Sequence, residues 1–403
     1  MPSSTRRQLL LVFGFVFLDL LGFSLILPLL PYYAESFGAS VTLVGLLGTV
    51  NALGQLVAAP VFGRLSDRYG RRPLLIFGLA GTVIGFLLLG LARSLVVVFL
   101  SRALDGLLGG NTSLARAYIS DITDAKNRAR GLGIIGAAFG LGFIIGPAMG
   151  GYLSRYGYNV PALIAAGLSL VNLLAVMLWL PESTTAEQRA ALRSSPRTAF
   201  TLGNLWEALR LPCCGALLSV NLLYALAFTL FQSNFALWAK TRLQLTAQTT
   251  SYVLTYVGVL AVLVQGLAIG RLTRRFRERV LIFAGTAVMS VALLAWGLTP
   301  TIPWLLIVLA PTALAGGVLN TVLSSQVSKA VRSEEVGGIL GLSESMQTLA
   351  QIIAPVAGGV LLQGVGTWSP GVLGSVLMVW TAFVAWRYVL HEPEFSCDAP
   401  ALR

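Results

Sequence analysis

Charged side chains are scarce in this sequence of 403 residues, where they occupy 11% of the positions against about 25% in a typical soluble domain. Hydrophobic residues make up 56%, and the mean hydropathy is +0.80. Apolar runs of about 20 residues recur along the chain, and each can cross a hydrocarbon layer of about 30 Å. The composition excludes an ordinary soluble protein and predicts a polytopic helical membrane protein.

Cysteine, histidine and lysine are also rare. The three cysteines are the adjacent Cys213 and Cys214 and the distant Cys397, a spacing that offers neither a C-x-x-C pair nor a disulfide framework. With His391 as the single histidine, we expect no metal site and no cofactor. None of the three lysines follows a glycine, which argues against the phosphate-binding loop of an ATP-driven pump.

Enzyme motifs are missing as well. The sequence contains no H-E-x-x-H, no G-x-S-x-G and no histidine within an apolar run. A Ser/Lys or Asp pair assembled across helices stays open as an alternative. We expect no enzymatic activity.

Hydropathy and turn signals predict twelve spans, six on each side of a polar stretch. We therefore expect an N-terminal six-helix bundle at 1–181, a cytoplasmic linker at 182–211, and a C-terminal six-helix bundle with a short tail at 212–403. The predicted spans lie near 8–33, 42–65, 73–92, 95–119, 131–153, 160–180, 212–238, 249–270, 280–298, 303–327, 337–362 and 369–389. The first run exceeds the 7 to 15 apolar residues of an export signal, so we interpret it as a retained span.

The two halves repeat each other. GRLSDRYGRR from Gly63 recurs as GRLTRRFRER from Gly270, and Gly109-Gly110 recurs as Gly316-Gly317, both at an offset of 207 residues. P-x-x-G-G at 147–151 recurs at 355–359. Repetition in the same order after six spans predicts a pseudo-two-fold axis along the membrane normal, with a binding site between the halves.

The basic residues predict the orientation, because Lys and Arg are concentrated in cytoplasmic loops. The net charge is +12, yet no separate soluble domain presents it, so we expect no nucleic-acid partner. With the N-terminus inside, 22 of the 28 basic residues fall on the inner side and two lie within the fourth span. Four fall outside: Arg93, Arg155, Lys240 and Arg242. Both termini are predicted to be cytoplasmic.

Four motifs resemble one family. GRLSDRYGRR at 63–72 resembles the hallmark loop of the major facilitator superfamily, between its second and third helices. Three more family patterns are LDLLGFSLILPLLP from Leu18, RALDGLLGG from Arg102 and GFIIGPAMGG from Gly142. The chain is most similar to the twelve-helix drug:proton antiporter branch, especially tetracycline exporters, which share the AYISDIT-like ending of the fourth helix at 117–123.

The resemblance implies an all-α fold of two pseudo-symmetric six-helix bundles that exports apolar or cationic small molecules in exchange for protons, by alternating access. It implies a monomer in the bacterial cytoplasmic membrane, with a small-molecule substrate, protons and the lipid bilayer as its partners. A metabolite facilitator or symporter, and a transporter-like sensor or lipid-moving protein, stay open as alternatives.

The hallmark loop is the candidate conformational latch. The resemblance implies that Arg71 pairs with Asp121 and that Asp67 contacts the start of the eleventh span, which would stabilise one state of the transport cycle by about 1 to 3 kcal/mol. Gly63, Arg68 and Gly70 complete the motif. In the second copy Arg274 replaces the aspartate, so we expect a full latch in the first copy alone. The alternative is that these arginines merely set topology.

Ionisable residues inside spans are costly and ask for an explanation. Asp19, about twelve residues into the first span, is the first candidate for the proton carrier; a structural, hydrogen-bonded carboxylate is the alternative. Arg102 and Asp105 lie three apart and can meet on one helix face, and the resemblance links Arg102 with proton coupling. A structural ion pair competes. Glu344 is a candidate for coupling or substrate binding, or for a contact with the loop arginines.

Two further sets of residues have predicted roles. In the fifth span, small residues around Pro147 permit close helix approach and bending, and the resemblance associates the pattern with antiporters; static packing is the alternative. Its residues are Gly142, Gly146, Pro147, Gly150 and Gly151. Polar and aromatic residues, some at helical spacing, are candidates for the substrate cavity, with lipid contact or packing as the alternative for the aromatic ones. They are Asn51, Gln55, Tyr224, Phe228, Phe231, Gln232, Phe235, Gln265, Gln347 and Gln351.

The sequence also departs from the family pattern. Tetracycline exporters carry an Asp in the third helix, a His in the eighth and an Asp in the ninth, where this chain has Gly85, Ala261 and Met289. These differences put a metal-tetracycline substrate in doubt and leave fewer candidates for a proton relay.

Overall fold

The computed structural model describes residues 3–123, 125–185, 187, 214–329 and 336–390. In that part of the chain, twelve helical segments are long and apolar enough to cross a membrane, and there is no β-strand, which confirms the predicted all-α class. In chain order, spans 1 to 12 are Arg6–Ile26, Val41–Tyr69, Arg71–Gly90, Leu95–Ile122, Gly131–Tyr156, Asn159–Trp179, Gly215–Leu243, Ala247–Arg275, Glu278–Leu298, Ile302–Val327, Gly341–Gly364 and Ser369–Tyr388.

Several helices continue beyond the apolar segment. They run over Ser3–Ile26, Ala125–Leu153, Cys214–Leu243, Ile302–Lys329 and Val336–Gly364. Most of the predicted linker at 182–211 lies outside the described residues, as do Cys213, His391 and Cys397.

Spans 1 and 4 differ from the prediction, which gave each as one continuous helix. The first was expected to reach residue 33 but ends at Ile26, and a separate helix covers Leu30–Ser36. Pro28 and Pro31 account for the break, because proline cannot donate a backbone hydrogen bond and disfavours a helical residue before it. The fourth is divided into Leu95–Leu108 and Asn111–Ile122 at the glycine pair 109–110.

Contacts between Cα atoms divide the chain into two compact units. Unit 1 comprises Met1–Thr198 and Leu245–Gly258, and unit 2 comprises Ala199–Gln244 and Val259–Arg403. The first half of span 8 thus belongs with spans 1 to 6. The predicted pseudo-two-fold axis, and a site between the halves, stay predictions.

In unit 1, span 1 packs against spans 5 and 6, span 2 packs against span 4, and span 3 packs against spans 4 and 6. Aliphatic side chains, together with Phe15, Phe62 and Tyr118, form the buried core of this unit. In unit 2, span 7 packs against spans 10, 11 and 12, and span 9 packs against spans 10 and 12. Large aromatic side chains fill the centre of unit 2, among them Phe235, Trp238 and Trp296.

Candidate functional site

Asp19 lies where polar side chains of spans 1, 3 and 4 of unit 1 contact one another. Its Oδ1 accepts a hydrogen bond from Asn111 Nδ2 in span 4 at 3.0 Å, and the same Nδ2 donates to Thr82 Oγ1 in span 3 at 3.3 Å. Asp19 is half-buried, whereas Asn111 is 2% exposed. The Asp19 carboxyl group therefore has a fixed hydrogen-bond partner, and part of the Asp19 side chain remains exposed.

Arg102 and Asp105 form the predicted ion pair, one turn apart in span 4. Arg102 Nη1 lies 3.4 Å from Asp105 Oδ2, and both side chains are buried. The Arg102 guanidinium also lies over the ring of Phe86, 5.5 Å from its centroid. Its Nη2 is buried without a hydrogen-bond partner, so the pair leaves part of the cation unsatisfied.

Two amides from span 2 extend this cluster. Asn51 Nδ2 donates to Asp105 Oδ2 at 3.0 Å and to the Arg102 carbonyl at 3.1 Å. Gln55 Nε2 in turn donates to Asn51 Oδ1 at 2.8 Å. Both amides are half-buried. The structure therefore brings the predicted cavity residue Asn51 onto the predicted coupling residue Asp105, and Gln55 onto Asn51.

In unit 1, the Asp19 and Asp105 carboxylates and the Arg102 guanidinium thus contact amides and a hydroxyl from spans 2, 3 and 4. Ionisable groups buried in a membrane protein mark ion pathways and proton relays. The arrangement is suited to binding and releasing a proton at a defined position.

The hallmark loop contains a compact ionic cluster around Arg71. Arg71 Nε lies 3.0 Å from Asp121 Oδ2, which confirms the pairing that the resemblance implies. Arg71 Nη1 lies 2.7 Å from Asp67 Oδ1 and also donates to Ser66 Oγ. Gly70 permits the turn into span 3 because its φ of +105° is a conformation that residues with a side chain rarely adopt.

The other latch predictions concern the contact of Asp67 with span 11 and the motif residues Gly63 and Arg68. The side chains of residues 328–340 lie outside the described part, so the expected contact between Asp67 and the start of span 11 stays a prediction. Gly63 has open space beside it, and the Arg68 guanidinium lies over the Tyr69 ring at 5.4 Å.

Glu182, at the end of span 6, is a residue of this cluster that the sequence patterns did not reveal. Its Oε1 accepts the backbone N–H of Arg71 at 2.8 Å, and its Oε2 accepts that of Arg72 at 3.2 Å. A carboxylate at a helix N-terminus satisfies free N–H groups and interacts favourably with the helix dipole. Next to it, Ser183 Oγ donates to Asp121 Oδ2 at 2.9 Å. The end of span 6 is therefore fastened to the hallmark loop.

The second copy of the loop has a different contact. Glu278, which begins span 9, occupies the position of Arg71 at the offset of 207. It accepts hydrogen bonds from Gln326 Nε2 and, at 3.4 Å, from Ser325 Oγ, both in span 10. The second copy retains a polar contact between the corresponding helices and uses a carboxylate with neutral partners.

The small residues of span 5 lie against span 1. A β-carbon at Gly146 would clash with Ser24 Oγ, and one at Gly150 would clash with the Leu25 carbonyl oxygen. Gly142 faces Leu20, and its carbonyl oxygen accepts a 2.8 Å hydrogen bond from Ser24 Oγ. Pro147 lies inside the same helix. The predicted close approach is thus made with the span that carries Asp19.

A second contact region of unit 1 joins its helix ends to the start of span 8. Tyr32 Oη lies 2.7 Å from Thr250 Oγ1 and donates to the Leu245 carbonyl at 2.9 Å. Arg155 Nε donates to Gln248 Oε1 at 3.0 Å. A β-carbon at Gly151 would meet Ser251. Burial raises the pKa of Tyr32 to about 12, so its hydroxyl stays protonated at neutral pH.

The aromatic stripe of span 7 is mostly internal to unit 2. The rings of Phe231 and Phe235 are buried, with centroids 4.9 and 6.4 Å from that of Trp296 in span 9. Tyr224 is also buried, and its hydroxyl donates to the Gly316 carbonyl at 3.0 Å. These contacts support the packing alternative for the three residues. Phe228 is half-buried.

The polar candidates of unit 2 lie on its surface. Gln232, Gln265, Glu344 and Gln351 are exposed, and Gln347 is half-buried. Such side chains within spans are consistent with a water-lined surface, because polar groups in spans face a cavity or other helices rather than lipid. Among the described residues, no three His, Cys, Asp or Glu side chains come together to hold a metal ion.

Similarity to known proteins agrees with these observations. The chain is 30% identical over 372 residues to the class C tetracycline resistance protein of Escherichia coli, covering 91% of this chain and 92% of that protein. It is 27% identical over 349 residues to multidrug resistance protein 2 of Bacillus subtilis, covering 86% of each.

Among solved structures, the human organic anion transporter MFSD10 (TETRAN) aligns with a TM-score of 0.72 at 24% identity, over 96% of this chain and 100% of that one. The family profile described as Major Facilitator Superfamily matches residues 12–231 and 217–401. The chain is therefore an integral membrane transporter that belongs to the major facilitator superfamily.

Proposed function

We propose that this transporter exports small apolar or cationic molecules from the cytoplasm in exchange for protons, and that Asp19 carries the proton. The observation that carries the proposal is the half-buried Asp19 in span 1, held by a hydrogen bond from the buried Asn111. The class C tetracycline resistance protein and multidrug resistance protein 2 support an export role.

The distribution of charge supports a cationic or apolar cargo. Among the described residues of spans 7 to 12, the carboxylates are Glu278, at the start of span 9, and the exposed Glu344 within span 11. The described basic residues of these spans lie near their ends. A carboxylate on the same helix face as Gln347 and Gln351 can attract a cation by its charge. We therefore assign Glu344 to cargo recognition.

The membrane potential can drive this exchange when the cargo is neutral, whereas a 1:1 exchange with a monovalent cation moves no net charge and depends on the pH gradient. A membrane potential of 100 mV provides about 2.3 kcal/mol for each elementary charge that crosses. A proton entering while a neutral molecule leaves moves one such charge inward. We place the transporter in the bacterial cytoplasmic membrane as a monomer with both termini inside, in agreement with the arginine distribution and two bacterial relatives.

A transport screen tests the proposal. Purified protein in proteoliposomes would be given a panel of cationic dyes, neutral antibiotics and organic anions, with and without a proton gradient. We expect gradient-driven movement of some cations or neutral compounds. The Asp19→Asn variant should lose it, while Asp19→Glu retains part of it and Glu344→Gln loses cations selectively. Movement that ignores the gradient would instead favour a facilitator, and movement of anions alone would contradict the cargo class.

A further inference from the structure

We propose that Asn111 is a positioning residue for the transported proton, and that its side-chain amide serves both protonation states of Asp19. This inference rests on the proposed function, because it takes Asp19 to be the group that binds and releases the proton. It adds a residue that neither the motifs nor the ion pairs indicate.

The starting point is the hydrogen bonding of Asn111. Its NH₂ group donates to Asp19 Oδ1 at 3.0 Å and to Thr82 Oγ1 at 3.3 Å, so both directions of donation are used. Its Oδ1 is buried and has no hydrogen-bond partner in the described part of the chain. Since buried polar atoms in proteins are nearly always paired, an unpaired amide oxygen beside an ionisable group asks for a functional reason.

Gly78 provides the space for this amide. The Asn111 Oδ1 atom occupies the position where a side chain at residue 78 would begin, and a β-carbon there would also lie 3.1 Å from the Leu108 carbonyl oxygen. The Leu108 carbonyl oxygen is therefore an acceptor in the neighbourhood of this amide. The oxygen and nitrogen ends of an Asn side chain have nearly the same size and shape, so the amide can turn by 180° in the same space.

Rotation of the Asn111 amide matters because the carboxyl group changes its hydrogen bonding when it is protonated. An ionised carboxylate only accepts hydrogen bonds, whereas a protonated carboxyl group has one O–H to donate. In the present orientation the Asn111 NH₂ group stabilises the ionised form. After the turn, Oδ1 accepts the O–H of protonated Asp19 and the NH₂ group donates towards the Leu108 carbonyl. Each state of the carboxyl group then has a matching partner.

The proton itself stays on Asp19. It arrives from water and forms an O–H bond on a carboxyl oxygen of the half-buried side chain, and it leaves to water by the reverse step. Asn111 forms no covalent bond in either direction. The Thr82 hydroxyl can follow the turn, since it both donates and accepts.

The charged groups around this contact are few. Span 4 carries Arg102, Asp105, Arg116 and Asp121, span 2 carries Arg64, Asp67 and Arg68 near its end, and span 3 begins with Arg71 and Arg72. The described stretches 73–90, 131–153 and 159–179 of spans 3, 5 and 6 have no acidic or basic residue. Few other ionisable groups can therefore be mistaken for Asp19 when a spectroscopic change is assigned.

Infrared difference spectra of the full-length protein in lipid, recorded between acidic and alkaline buffer, test the inference. The carboxyl C=O band of protonated Asp19 is the one that disappears in Asp19→Asn. We expect Asn111→Leu, a replacement of similar size, to move this band to higher wavenumber, because the O–H has lost its acceptor.

Asn172→Leu is the matched control. Asn172 is equally buried, and its Nδ2 donates to the Phe15 carbonyl of span 1 at 3.0 Å, one turn before Asp19. The band should stay in place in this variant. Thr82→Val should move it in the same direction by less, which keeps the test available if Asn111→Leu does not accumulate.

Three results would overturn the inference. A band with the same position in Asn111→Leu and wild type would reject Asn111 as the partner while leaving Asp19 as the proton carrier. An equal shift in Asn172→Leu would reduce the effect to general loosening of span 1. The absence of any band that depends on Asp19 would overturn the proposed function as well.

Discussion

The two sequence repeats share a scaffold but differ in the chemistry inside it. At the offset of 207 residues, the polar residues of the first repeat face replacements in the second that are neutral and mostly apolar. Asn51, Arg102, Asp105 and Asn111 correspond to Gly258, Leu309, Thr312 and Val318. The glycine pairs 109–110 and 316–317 are kept. The glycines that allow close helix packing therefore occur in both repeats, whereas the charged and amide side chains at these positions occur in the first repeat.

This difference agrees with the separate roles that we propose for the two repeats. The first holds the carboxyl group that we propose carries the proton, with the amides and the ion pair around it. The second presents the exposed Glu344 and glutamines that we propose recognise the cargo. Substitutions at equivalent positions of the two repeats can separate these roles.

The first prediction converts the first repeat into the second at its ion pair. Arg102→Leu should lower the free energy of unfolding by about 3 to 5 kcal/mol, because it leaves the buried Asp105 carboxylate without its cation. The double variant Arg102→Leu/Asp105→Thr, which copies Leu309 and Thr312, should recover most of that loss and still fail in proton-driven transport. Unfolding in detergent and transport assays measure the two effects. A single variant as stable as wild type would show that the pair is energetically unimportant.

The second prediction compares equivalent glycines. Gly150→Ala should cost about 1 to 3 kcal/mol, because its β-carbon would meet the Leu25 carbonyl oxygen and force span 1 to move. At the equivalent Gly358 the β-carbon would meet the buried side chain of Asn234. Displacing this amide loses hydrogen bonds such as that to the Ala354 carbonyl but moves no helix backbone, so Gly358→Ala should cost less. Thermal unfolding of the two variants in parallel checks the order. The reverse order would mean that the contact with span 1 is not tight.

The third prediction compares the two loops. Glu182→Gln should lower the free energy of unfolding by about 1.5 kcal/mol, since it weakens charge-assisted hydrogen bonds to the start of span 3. Glu278→Gln should cost less, because the Ser325 and Gln326 side chains can both donate and accept, whereas both oxygens of Glu182 face backbone N–H groups. Hydrogen exchange at the start of spans 3 and 9 locates the effects. Equal loss of protection in both would remove the distinction between the loops.

The smallest effect is expected at Tyr32. Tyr32→Phe should cost about 1 kcal/mol, because it loses two hydrogen bonds that contribute about 0.5 kcal/mol each, the lower end of the usual range. The cost should be constant between pH 6 and 9. The pKa of Tyr32 is raised to about 12, so its contribution is complete below the ordinary value near 10 and declines only as the pH rises through 12. A cost that changes between pH 6 and 9 would show that another group titrates with it.

Much of this fold could be predicted from the sequence because hydrophobic length determines which segments span a membrane. The twelve spans and the repeat follow from local patterns, whereas the Arg71–Asp121 pair was implied by the family resemblance. The end of span 1 at Ile26 was missed because Pro28 and Pro31 lie within an unbroken apolar run, where hydropathy gives no boundary.

The candidate site was predicted less completely because it depends on which helix faces meet. Asp19 and Arg102 stand out as charges in apolar segments. Asn111 and Thr82 are uncharged, and nothing local indicates that they meet Asp19. An Asn inside a span is still a usable signal, because a buried amide in a membrane requires partners. Glu182 had a similar signal, as the first carboxylate after span 6.

The most direct test of the account is the release of protons when cargo binds. Purified protein in weakly buffered detergent, with a pH-sensitive dye, would be mixed with a compound that the transport screen identifies. Exchange of one ligand for another at linked sites predicts that wild type releases protons on binding and that Asp19→Asn binds the compound without releasing any. Equal proton release by both proteins would contradict the assignment of the transported proton to Asp19.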